Sequence, residues 1–413
     1  MTKPTILIIA GGKNSRFAPI NTKTHKGFLS LAGKPIVQRA LENLHKHEFK
    51  NVVFVLSPKD FDGKGFSEYL DNHDLDMNIT TVLQEKATGM GDALLLAKEH
   101  LSDKFILCSP YYSNLGQIAD ELQEKQKNTQ ADCVLSGTQI EDPEIYGILE
   151  FDKKDKSKVL GIVEKPKKGQ EPSNIKVDSI YLFNTDFVNL LEKAKKTEYS
   201  LEETITNFVK HNHGAWIENN SEVSSLKYPW HLFNLFSQFI SRENTHFSEN
   251  AIVSDTAIFD DTNGPVIVDD GARIGDFVKL VGPCYIGRNC LVGDYSFVRG
   301  SSLEEGSIIG AKTEVVRCIM FEKSSLHFGY MADSIIGHGT KIGAGLITAN
   351  KRLDRNNVRV KVKEQLIDSG SNTLGIIVGE KANIGIRTST MPGITIATNA
   401  KVLPNSTVNR NIK

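Results

Sequence analysis

The sequence predicts an α/β domain followed by a parallel β-helix, and three features lead to this prediction. Short apolar runs alternate with helix-like stretches over the first 240 residues, which favours a mostly parallel sheet with helices on both faces. Beyond residue 249 the apolar residues recur every six positions. This period would spread them around a helix, but it suits the sides of a β-helix coil. The length of 413 residues also exceeds one ordinary domain.

We therefore expect an α/β domain over residues 1–240, a linker over 241–250 and a β-helix over 251–413. The predicted elements of the first domain are strands over Thr5–Ala10 and residues 51–57, 79–84 and 105–108, and helices over residues 36–44, 66–72 and 93–100. The glycine pair Gly11-Gly12 follows the first strand. It predicts a ligand loop at the carboxyl edge of the sheet, where open α/β sheets bind their substrates.

The second half has a hexapeptide register. The register holds at every sixth position in three blocks, namely Val268, Ile274, Leu280, Ile286, Val292 and Val298, then Ile336, Ile342 and Thr348, then Val378, Ile384, Thr390, Ile396, Val402 and Val408. All of these residues except the two threonines are aliphatic. Each hexad would form one side of a triangular coil, and stacked coils would bury the apolar column. Cys284 and Cys290 fall at equivalent places in two hexads. We expect both to be small interior residues, with no metal or redox role.

Charge and composition argue against several classes of protein. Lys and Arg number 49 against 50 Asp and Glu, and the net charge of −1 gives no support to a nucleic-acid partner or a basic membrane-surface protein. We find no apolar run long enough for a signal peptide or a spanning helix. Five cysteines are an odd number spread over a long chain, which predicts a reducing compartment without a disulfide framework. The protein is expected to be soluble and cytoplasmic.

The loop after the first strand has the composition of a phosphate-binding site. Gly11 and Gly12 let backbone N–H groups approach phosphate oxygens, while Arg16 and Lys26 can neutralise the phosphate charge. The spacing fits neither the dinucleotide-binding glycine motif nor a P-loop. It resembles the loop of the sugar-1-phosphate nucleotidylyltransferases, which reads Gly-Gly-x-Gly-Thr-Arg-Leu-x-Pro followed by Pro-Lys.

Further segments match that family in the same order along the chain. Gln84 with Gly89 resembles its base-recognition segment, and Glu164-Lys165 is similar to its sugar-contacting motif. Tyr228-Pro229-Trp230 resembles a Pro-Trp segment of archaeal-type members. The resemblance covers most of residues 1–240 and implies a Rossmann-like nucleotidylyltransferase domain.

In that family a sugar phosphate attacks the α-phosphorus of a nucleoside triphosphate and expels pyrophosphate. Catalysis needs no protein nucleophile, because it consists of positioning and of charge neutralisation shared with Mg²⁺. The resemblance implies that Arg16 holds the leaving phosphates and Lys26 the transferred one. The other implied roles are nucleotide binding for Gly11, Gly12, Gln84 and Gly89, and sugar-phosphate binding for Glu164 and Lys165.

The sequence departs from the family at the metal site. Pro110 stands where the family has its first metal-binding aspartate, and Ser225 stands at the place of the second. Proline cannot ligate Mg²⁺ through its side chain, and serine is a poor substitute for a carboxylate. Asp178 and Asp92 are candidates for a displaced ligand, although a structural or solvated role is favoured for both. The metal ligands are therefore left unassigned.

A second cluster lies in the β-helix half and includes His327, Tyr330, Asp333 and Asn350. It resembles the acetyltransferase half of the bifunctional glucosamine-1-phosphate acetyltransferase/N-acetylglucosamine-1-phosphate uridylyltransferase family, which reads His-Leu-Ser/Thr-Tyr-x-Gly-Asp. The order of a nucleotidylyltransferase followed by a left-handed hexapeptide β-helix also matches, so the resemblance spans nearly the whole chain. It further implies a homotrimer.

Acetyl transfer to an amine needs a base that removes an ammonium proton, and His327 takes that place by position. Arg299 and Arg317 are candidates for gripping the sugar phosphate, with a solvated role as the alternative. By the resemblance, Tyr330 would contact the sugar and Asn350 would contact acetyl-CoA.

Three functions remain open at this point. The first is a bifunctional enzyme that makes a UDP-N-acetylhexosamine from a hexosamine 1-phosphate, acetyl-CoA and UTP. The second is an acyltransferase whose N-terminal domain only binds a nucleotide, and the third is a non-catalytic scaffold that senses a nucleotide sugar. His327 and its neighbours favour the first two over the third, whereas Pro110 and Ser225 favour the second over the first.

Overall fold

The computed structural model describes residues 3–20, 24–61, 75–219 and 226–413. The chain divides into two compact units. The first unit comprises Met1–Lys13, Lys23–Phe28 and Ile36–Ser225, and the second comprises Asn14–Thr22, Leu29–Pro35 and Leu226–Lys413. The segment 226–240, which we expected at the end of the first domain, is thus grouped with the second unit. The predicted helix over residues 66–72 lies outside the described residues.

Between residues 51 and 139 the strands alternate with helices as the sequence predicts, whereas the strands between residues 133 and 184 follow one another without an α-helix between them. The described strands are β1 (Thr5–Ala10), β2 (Ser30–Leu31), β3 (Lys34–Pro35), β4 (Asn51–Leu56), β5 (Asn78–Leu83), β6 (Lys104–Cys108), β7 (Cys133–Gln139), β8 (Gly147–Phe151), β9 (Val159–Glu164), β10 (Ile175–Asn184) and β11 (Gly214–Glu218). The described helices of the whole chain are α1 (Ile36–Lys46), α2 (Pro58–Phe61), α3 (Met90–Ala97), α4 (Leu115–Thr129), α5 (Thr185–Glu192), α6 (Ser200–His211) and α7 (His231–Ile240).

The first unit is built on one mixed sheet with the strand order β11-β7-β10-β6-β1-β4-β5. The central strand β1 is parallel to both β4 and β6, and β5 is parallel to β4. Their carboxyl ends therefore share one edge, as the pattern of buried strands predicts. Strand β10 is antiparallel to β6 and β7. It brings the residues that precede it to this same edge.

The second unit is a β-helix of three parallel sheets with eight strands each. Its first sheet contains β12 (His246–Phe247), β15 (Val266–Val268), β18 (Cys284–Ile286), β21 (Ser302–Leu303), β24 (Ile319–Met320), β27 (Ile335–Ile336), β32 (Ile376–Val378) and β35 (Ile394–Ile396). The second contains β13 (Ile252–Val253), β16 (Arg273–Ile274), β19 (Leu291–Val292), β22 (Ile308–Ile309), β25 (Ser325–Leu326), β28 (Lys341–Ile342), β33 (Asn383–Ile384) and β36 (Lys401–Val402). The third contains β14 (Ile258–Asp260), β17 (Lys279–Val281), β20 (Phe297–Arg299), β23 (Glu314–Val316), β26 (Gly329–Ala332), β29 (Leu346–Thr348), β34 (Ser389–Thr390) and β37 (Thr407–Val408).

The hexad column forms the core of the coils, which confirms the predicted left-handed β-helix. Ile286, Val292 and Val298 are fully buried, and so are Cys284 and Cys290. The register is interrupted after β29 because the chain leaves the coil there to form a hairpin of β30 (Arg359–Val362) and β31 (Gln365–Asp368). The excursion closes where the Leu374 amide donates to the Asn350 carbonyl.

Candidate functional site

The carboxyl edge of the first sheet brings the glycine loop and Gln84 together, although 73 residues separate Gly11 from Gln84 in sequence. A Cβ added at Gly11 would lie only 2.6 Å from Gln84 Oε1, so a side chain at this position would displace the Gln84 amide. Gly12 is exposed, and no heavy atom lies within 4 Å of the place where its Cβ would be. Its backbone is therefore accessible to a ligand.

Gln84 is buried, and its amide is engaged by the protein. Its Nε2 donates to the Gly89 carbonyl and to Asp92 Oδ2, each at 3.2 Å. Asp92 Oδ2 also accepts from the Thr88 hydroxyl at 2.5 Å. A cavity of about 720 Å³ adjoins Gln84, Asp92 and Glu198. The structure thus gathers the predicted base-recognition segment beside a cavity, while the nucleotide-binding role of Gln84 and Gly89 stays a prediction.

Lys26 begins a 3₁₀ turn over Lys26–Phe28 that packs on Pro110. A Cβ added at Gly27 would lie 2.6 Å from Pro110 Cγ. The Lys26 ammonium lies 5.7 Å from the ring centroid of Tyr111, within the range of cation–π attraction. Burial, reinforced by the charge of Lys26, lowers the pKa of the neighbouring His25 to about 3. His25, which stands where the family has proline, is therefore neutral.

The carboxylate of Asp178 is occupied by protein donors. It pairs with Lys176 at 2.9 Å, and both side chains are almost completely buried. Its oxygens also accept from Ser136 at 3.0 Å, from Thr138 at 2.9 Å and from Asn219 at 2.9 Å. The contacts of Asp178 are thus those of a structural residue, and whether it binds a metal ion stays a matter of prediction.

The residues do not fit the metal site of the resembling family. Pro110 is buried at the carboxylate position, and Ser225 lies outside the described residues. Within the described ranges, no group of three or more His, Cys, Asp or Glu side chains is arranged to hold a metal ion. A Mg²⁺ role therefore has no ligand set here to support it.

Glu164 and Lys165 lie at the end of β9, and both are exposed. The Lys165 ammonium donates to the Tyr199 hydroxyl at 3.1 Å. Sequence reasoning missed Glu202 in α6, whose pKa is raised to about 7, mainly by burial and further by the charge of Glu164. Its position in the first turn of a helix gives no sign that it approaches Glu164, so only the tertiary structure identifies it.

Arg16 and its neighbours belong to the second unit. Arg16 is exposed, whereas the adjacent Phe17 is buried and anchors the segment. The hydroxyl of Thr398 donates to the Pro19 carbonyl at 3.4 Å. The backbone of the segment that carries Arg16 is therefore bonded to the coils at Pro19, and the side chain of Arg16 is exposed.

An ion pair with a buried carboxylate and a partly exposed guanidinium organises one corner of the coils. The Arg317 guanidinium donates to both oxygens of Asp333, and Asn350 Nδ2 donates to Asp333 Oδ2 at 2.5 Å. The Thr373 hydroxyl, on the returning excursion, donates to Asp333 Oδ1 at 3.4 Å. The structure therefore joins Arg317 to Asp333 and Asn350 of the predicted acetyltransferase cluster, and the acetyl-CoA contact of Asn350 stays a prediction.

His327 lies at a different corner from this pair. It follows β25 and is exposed, whereas Asp333 follows β26 and Arg317 follows β23. Strand β26 has four residues and separates the two corners by roughly 13 Å. Tyr330 lies on that strand, and Arg299 ends β20 of the same sheet. Within one chain, His327 therefore lies at one end of the strands of this sheet, and Arg299 and Arg317 lie at the other end.

Helix α7 covers a cavity of about 540 Å³ at the Arg317–Asp333 corner. Trp230 and Asn234 line one side of it, and Ser371 of the excursion lines another. Trp230 stacks on Tyr228 with ring centroids 4.6 Å apart. The Pro-Trp segment, which resembles a motif of the nucleotidylyltransferase half, thus lines a cavity of the second unit.

Glu304 is a second residue that sequence reasoning missed. It is buried in the coils and accepts from the backbone N–H groups of Ala32 at 2.8 Å and Gly33 at 3.1 Å. The Ser302 hydroxyl donates to it at 2.6 Å. Burial raises the pKa of Glu304 to about 7. In the hexad pattern, Glu304 occupies the same kind of position as any polar corner residue. The sequence therefore gives no sign that it binds the backbone of Ala32 and Gly33.

Comparison with known families identifies the first unit. Residues 5–222 match the nucleotidyl transferase family. The chain belongs to this family. Membership confirms the fold predicted for the first half of the chain and classes the protein as a transferase. None of its helices within the described ranges is long and apolar enough to cross a membrane.

Full-length relatives of this nucleotidyl transferase carry names that refer to two activities. The bifunctional sugar-1-phosphate nucleotidylyltransferase/acetyltransferase of Sulfurisphaera tokodaii is 28% identical over 411 residues, which cover 98% of this chain and 97% of the relative. The bifunctional protein GlmU of Methanocaldococcus jannaschii is 27% identical over 418 residues, with 98% and 95% covered. The resemblance seen in the sequence is thereby confirmed.

A solved structure supports the fold. The UDP-glucose pyrophosphorylase of Acinetobacter baumannii superposes with a TM-score of 0.50 at 16% identity, covering 59% of this chain and 95% of that one. At this identity the likeness concerns the fold alone.

Proposed function

We propose that the chain transfers an acetyl group from acetyl-CoA to the amine of a hexosamine 1-phosphate and joins the product to UTP, giving a UDP-N-acetylhexosamine. One observation carries this proposal: relatives named for both activities match 98% of the chain and therefore span both units. The cluster around His327 and the glycine loop at the edge of the first sheet support the two half-reactions.

In the acetyl transfer, the amine nitrogen attacks the thioester carbonyl, the C–S bond breaks and CoA leaves as the thiol. An ammonium must lose a proton before its nitrogen can attack, and the exposed imidazole of His327 is suited to accept it. Arg299 and Arg317 would bind the sugar phosphate, since guanidinium groups match phosphate oxygens. Asp333 uses two donors of Arg317 and leaves the others for a ligand.

We further infer a homotrimer in which protomers share the acetyl-transfer site, because His327 and Arg317 occupy different corners of one chain. Phe277, Tyr295 and Phe328 are exposed at the corner that carries His327, and contact with a second copy would cover these apolar rings. A mass near three chains by light scattering would support this assembly, and a monomer at working concentration would contradict it. Five buried, unpaired cysteines suit a cytoplasmic location.

In the nucleotidylyl transfer, Lys26 and Arg16 would neutralise phosphate charge, and Glu164 and Lys165 would bind the sugar phosphate. A second candidate function is favoured by Pro110: the first unit would bind a nucleotide without transferring it, and the chain would be an acetyltransferase. The two candidates share the acetyl transfer and differ in pyrophosphate release.

The test uses the full-length protein. In the first assay the protein receives glucosamine 1-phosphate and acetyl-CoA, and thiol release is measured. In the second assay it receives N-acetylglucosamine 1-phosphate, UTP and Mg²⁺, and pyrophosphate release is measured. The His327→Ala variant should lower thiol release by about 10²-fold or more. The matched control is His338→Ala, because His338 lies 3.7 Å from Glu322 at another corner and should leave the rate near wild type.

The outcomes separate the candidates. Thiol release that is absent, or equal in the wild type and in His327→Ala, would contradict the acetyltransferase. Thiol release without pyrophosphate release would select the second candidate, and the release of both would select the first. Binding of a nucleotide sugar without release of thiol or of pyrophosphate would indicate a sensing scaffold.

A further inference from the structure

The first unit has an apolar ring where its family places a metal-binding carboxylate. Pro110 follows β6 and is buried, and a Cβ at Gly27 would lie 2.6 Å from its Cγ and 3.0 Å from its Cβ. The turn that carries Lys26 therefore rests directly on the proline ring. A divalent ion in such a site normally bridges a protein carboxylate and a phosphate oxygen, two anions that would otherwise repel each other.

The acid nearest to this position in the sheet register is neutralised by the protein itself. Ile180 of β10 pairs with Cys108 of β6, so Asp178 lies across the antiparallel register from Pro110. A carboxylate has about four acceptor sites. Four donors fill them, namely Lys176 Nζ, Ser136 Oγ, Thr138 Oγ1 and Asn219 Nδ2, each within 3.0 Å of an oxygen.

Asp92, another acid at this edge, also has protein partners. Its Oδ2 accepts from Gln84 and Thr88, and its Oδ1 lies 3.9 Å from the ammonium of Lys196. Asp178 therefore presents no open carboxylate to a bridging ion, whereas Asp92 has one oxygen hydrogen-bonded and the other near a lysine ammonium. Among the described residues, the cationic groups near the glycine loop include Lys26, which is partly exposed, and Lys13, which is exposed beside the accessible backbone of Gly12.

We propose that the first unit binds a nucleoside di- or triphosphate without a divalent metal ion. The phosphate would be neutralised by Lys13 and Lys26 and by backbone N–H groups of the glycine loop. Because Pro110 stands at the place of the opposing carboxylate and Asp178 is already paired with Lys176, a bridging cation has no repulsion to relieve at this position. The inference rests on the proposed function, in that this unit binds a nucleoside phosphate.

Isothermal titration calorimetry on the full-length protein tests the inference. UDP-N-acetylglucosamine and UTP are titrated once with MgCl₂ and once with EDTA. We expect the dissociation constant of each ligand to agree within about twofold between the two conditions, since the site supplies its own charge neutralisation. Weakening by about tenfold or more in EDTA, which is about 1.4 kcal/mol, would overturn the inference.

Two substitutions separate charge from packing. Pro110→Asp restores an anion beside the ligand phosphate, so binding in EDTA should weaken by at least about tenfold and recover when Mg²⁺ is added. Pro110→Ala removes the ring without adding charge and should bind in EDTA as the wild type does. Circular dichroism and thermal melting establish that both variants are folded.

Each remaining outcome has one meaning. Equal weakening in Pro110→Ala and Pro110→Asp would show that packing of the turn controls affinity, which contradicts the charge argument. Binding of the wild type only with Mg²⁺ would overturn the metal-independent site while leaving the proposed function intact. Binding of neither ligand in either condition would instead refute nucleotide binding by this unit.

Discussion

Asp333 holds Arg317 with both carboxylate oxygens, Oδ1 accepting from Nε at 2.6 Å and Oδ2 from Nη2 at 2.7 Å. Both residues adopt left-handed backbone conformations, with φ of 47° and 49°. The side chain of Asp333 is 6% exposed and that of Arg317 is 45% exposed. The pair thus fixes a corner of the coils and presents part of a guanidinium to solvent, where a phosphate can reach it.

This relationship predicts the effect of removing either partner. Arg317→Met leaves a buried carboxylate with only Asn350 and Thr373 as donors, and should lower the unfolding free energy by about 1–3 kcal/mol, less than for a fully buried pair because the guanidinium is partly exposed. In the Arg317→Met/Asp333→Asn double variant the unpaired charge is gone, and part of that loss should return. Urea unfolding measures the wild type, both single variants (Arg317→Met and Asp333→Asn) and the double variant. Strictly additive losses would contradict the coupling.

Glu304 predicts a pH dependence of stability. Burial raises its pKa from 4.5 to about 7 in the folded state, so the folded protein binds this proton more tightly than the unfolded chain does. Binding of this proton stabilises the folded state. The stabilisation is complete below about pH 4.5 and is lost as the pH rises through about 7, a change on the order of 3 kcal/mol in the unfolding free energy. The unfolding free energy should therefore fall over this range by that amount.

Glu304→Gln checks this dependence. The variant removes the titrating group, so the fall in unfolding free energy between pH 5 and pH 8 should shrink by about 2–3 kcal/mol relative to wild type. The exposed neighbour provides the matched control, since Glu305→Gln should leave the slope unchanged. An identical slope in wild type and Glu304→Gln would refute the assignment.

The anchoring of residues 29–35 on the coils predicts a steric penalty at Gly33. Its φ is 77°, and an added Cβ would lie 2.2 Å from Tyr285 Oη. Gly306 has φ 68° and meets only Lys323 Cγ at 3.5 Å. Both alanine variants carry backbone strain of about 1 kcal/mol, and Gly33→Ala should lose about 1–3 kcal/mol more through the clash. Thermal melting compares the two, and equal melting temperatures would show that this contact is unimportant.

Burial also predicts that the thiols are inert in the native protein. Cys108, Cys133, Cys284, Cys290 and Cys318 are all buried, and burial raises the pKa of Cys290 and of Cys318 to about 12. The thiolate is the reactive form, so a chromogenic disulfide reagent at pH 8 should label fewer than about one thiol in minutes. Labelling in urea should reach all five. Rapid modification of one cysteine before unfolding would contradict the burial of that residue.

Features set by short-range sequence were predictable. The six-residue period identifies the coils because side chains at a fixed spacing along stacked strands must face the same interior, as Ile286 and Val292 do. The strand followed by Gly11-Gly12 likewise locates the ligand edge, since parallel strands present their carboxyl ends together. The resemblance adds candidate residues but not their contacts.

Contacts between distant residues were decided only by the tertiary structure. Glu304 accepts a hydrogen bond from Ala32, which lies 272 positions away in the sequence. Asp333 accepts hydrogen bonds from Arg317 and Asn350. Lys176 and three polar side chains occupy the carboxylate of Asp178. None of these pairings has a spacing signal, because hydrogen bonds and ion pairs depend on the angstrom-scale approach of groups that the chain brings together only on folding. The sequence by itself determined which elements form and where a ligand edge lies. The fold determined which charged groups there are already paired and which are left for a substrate.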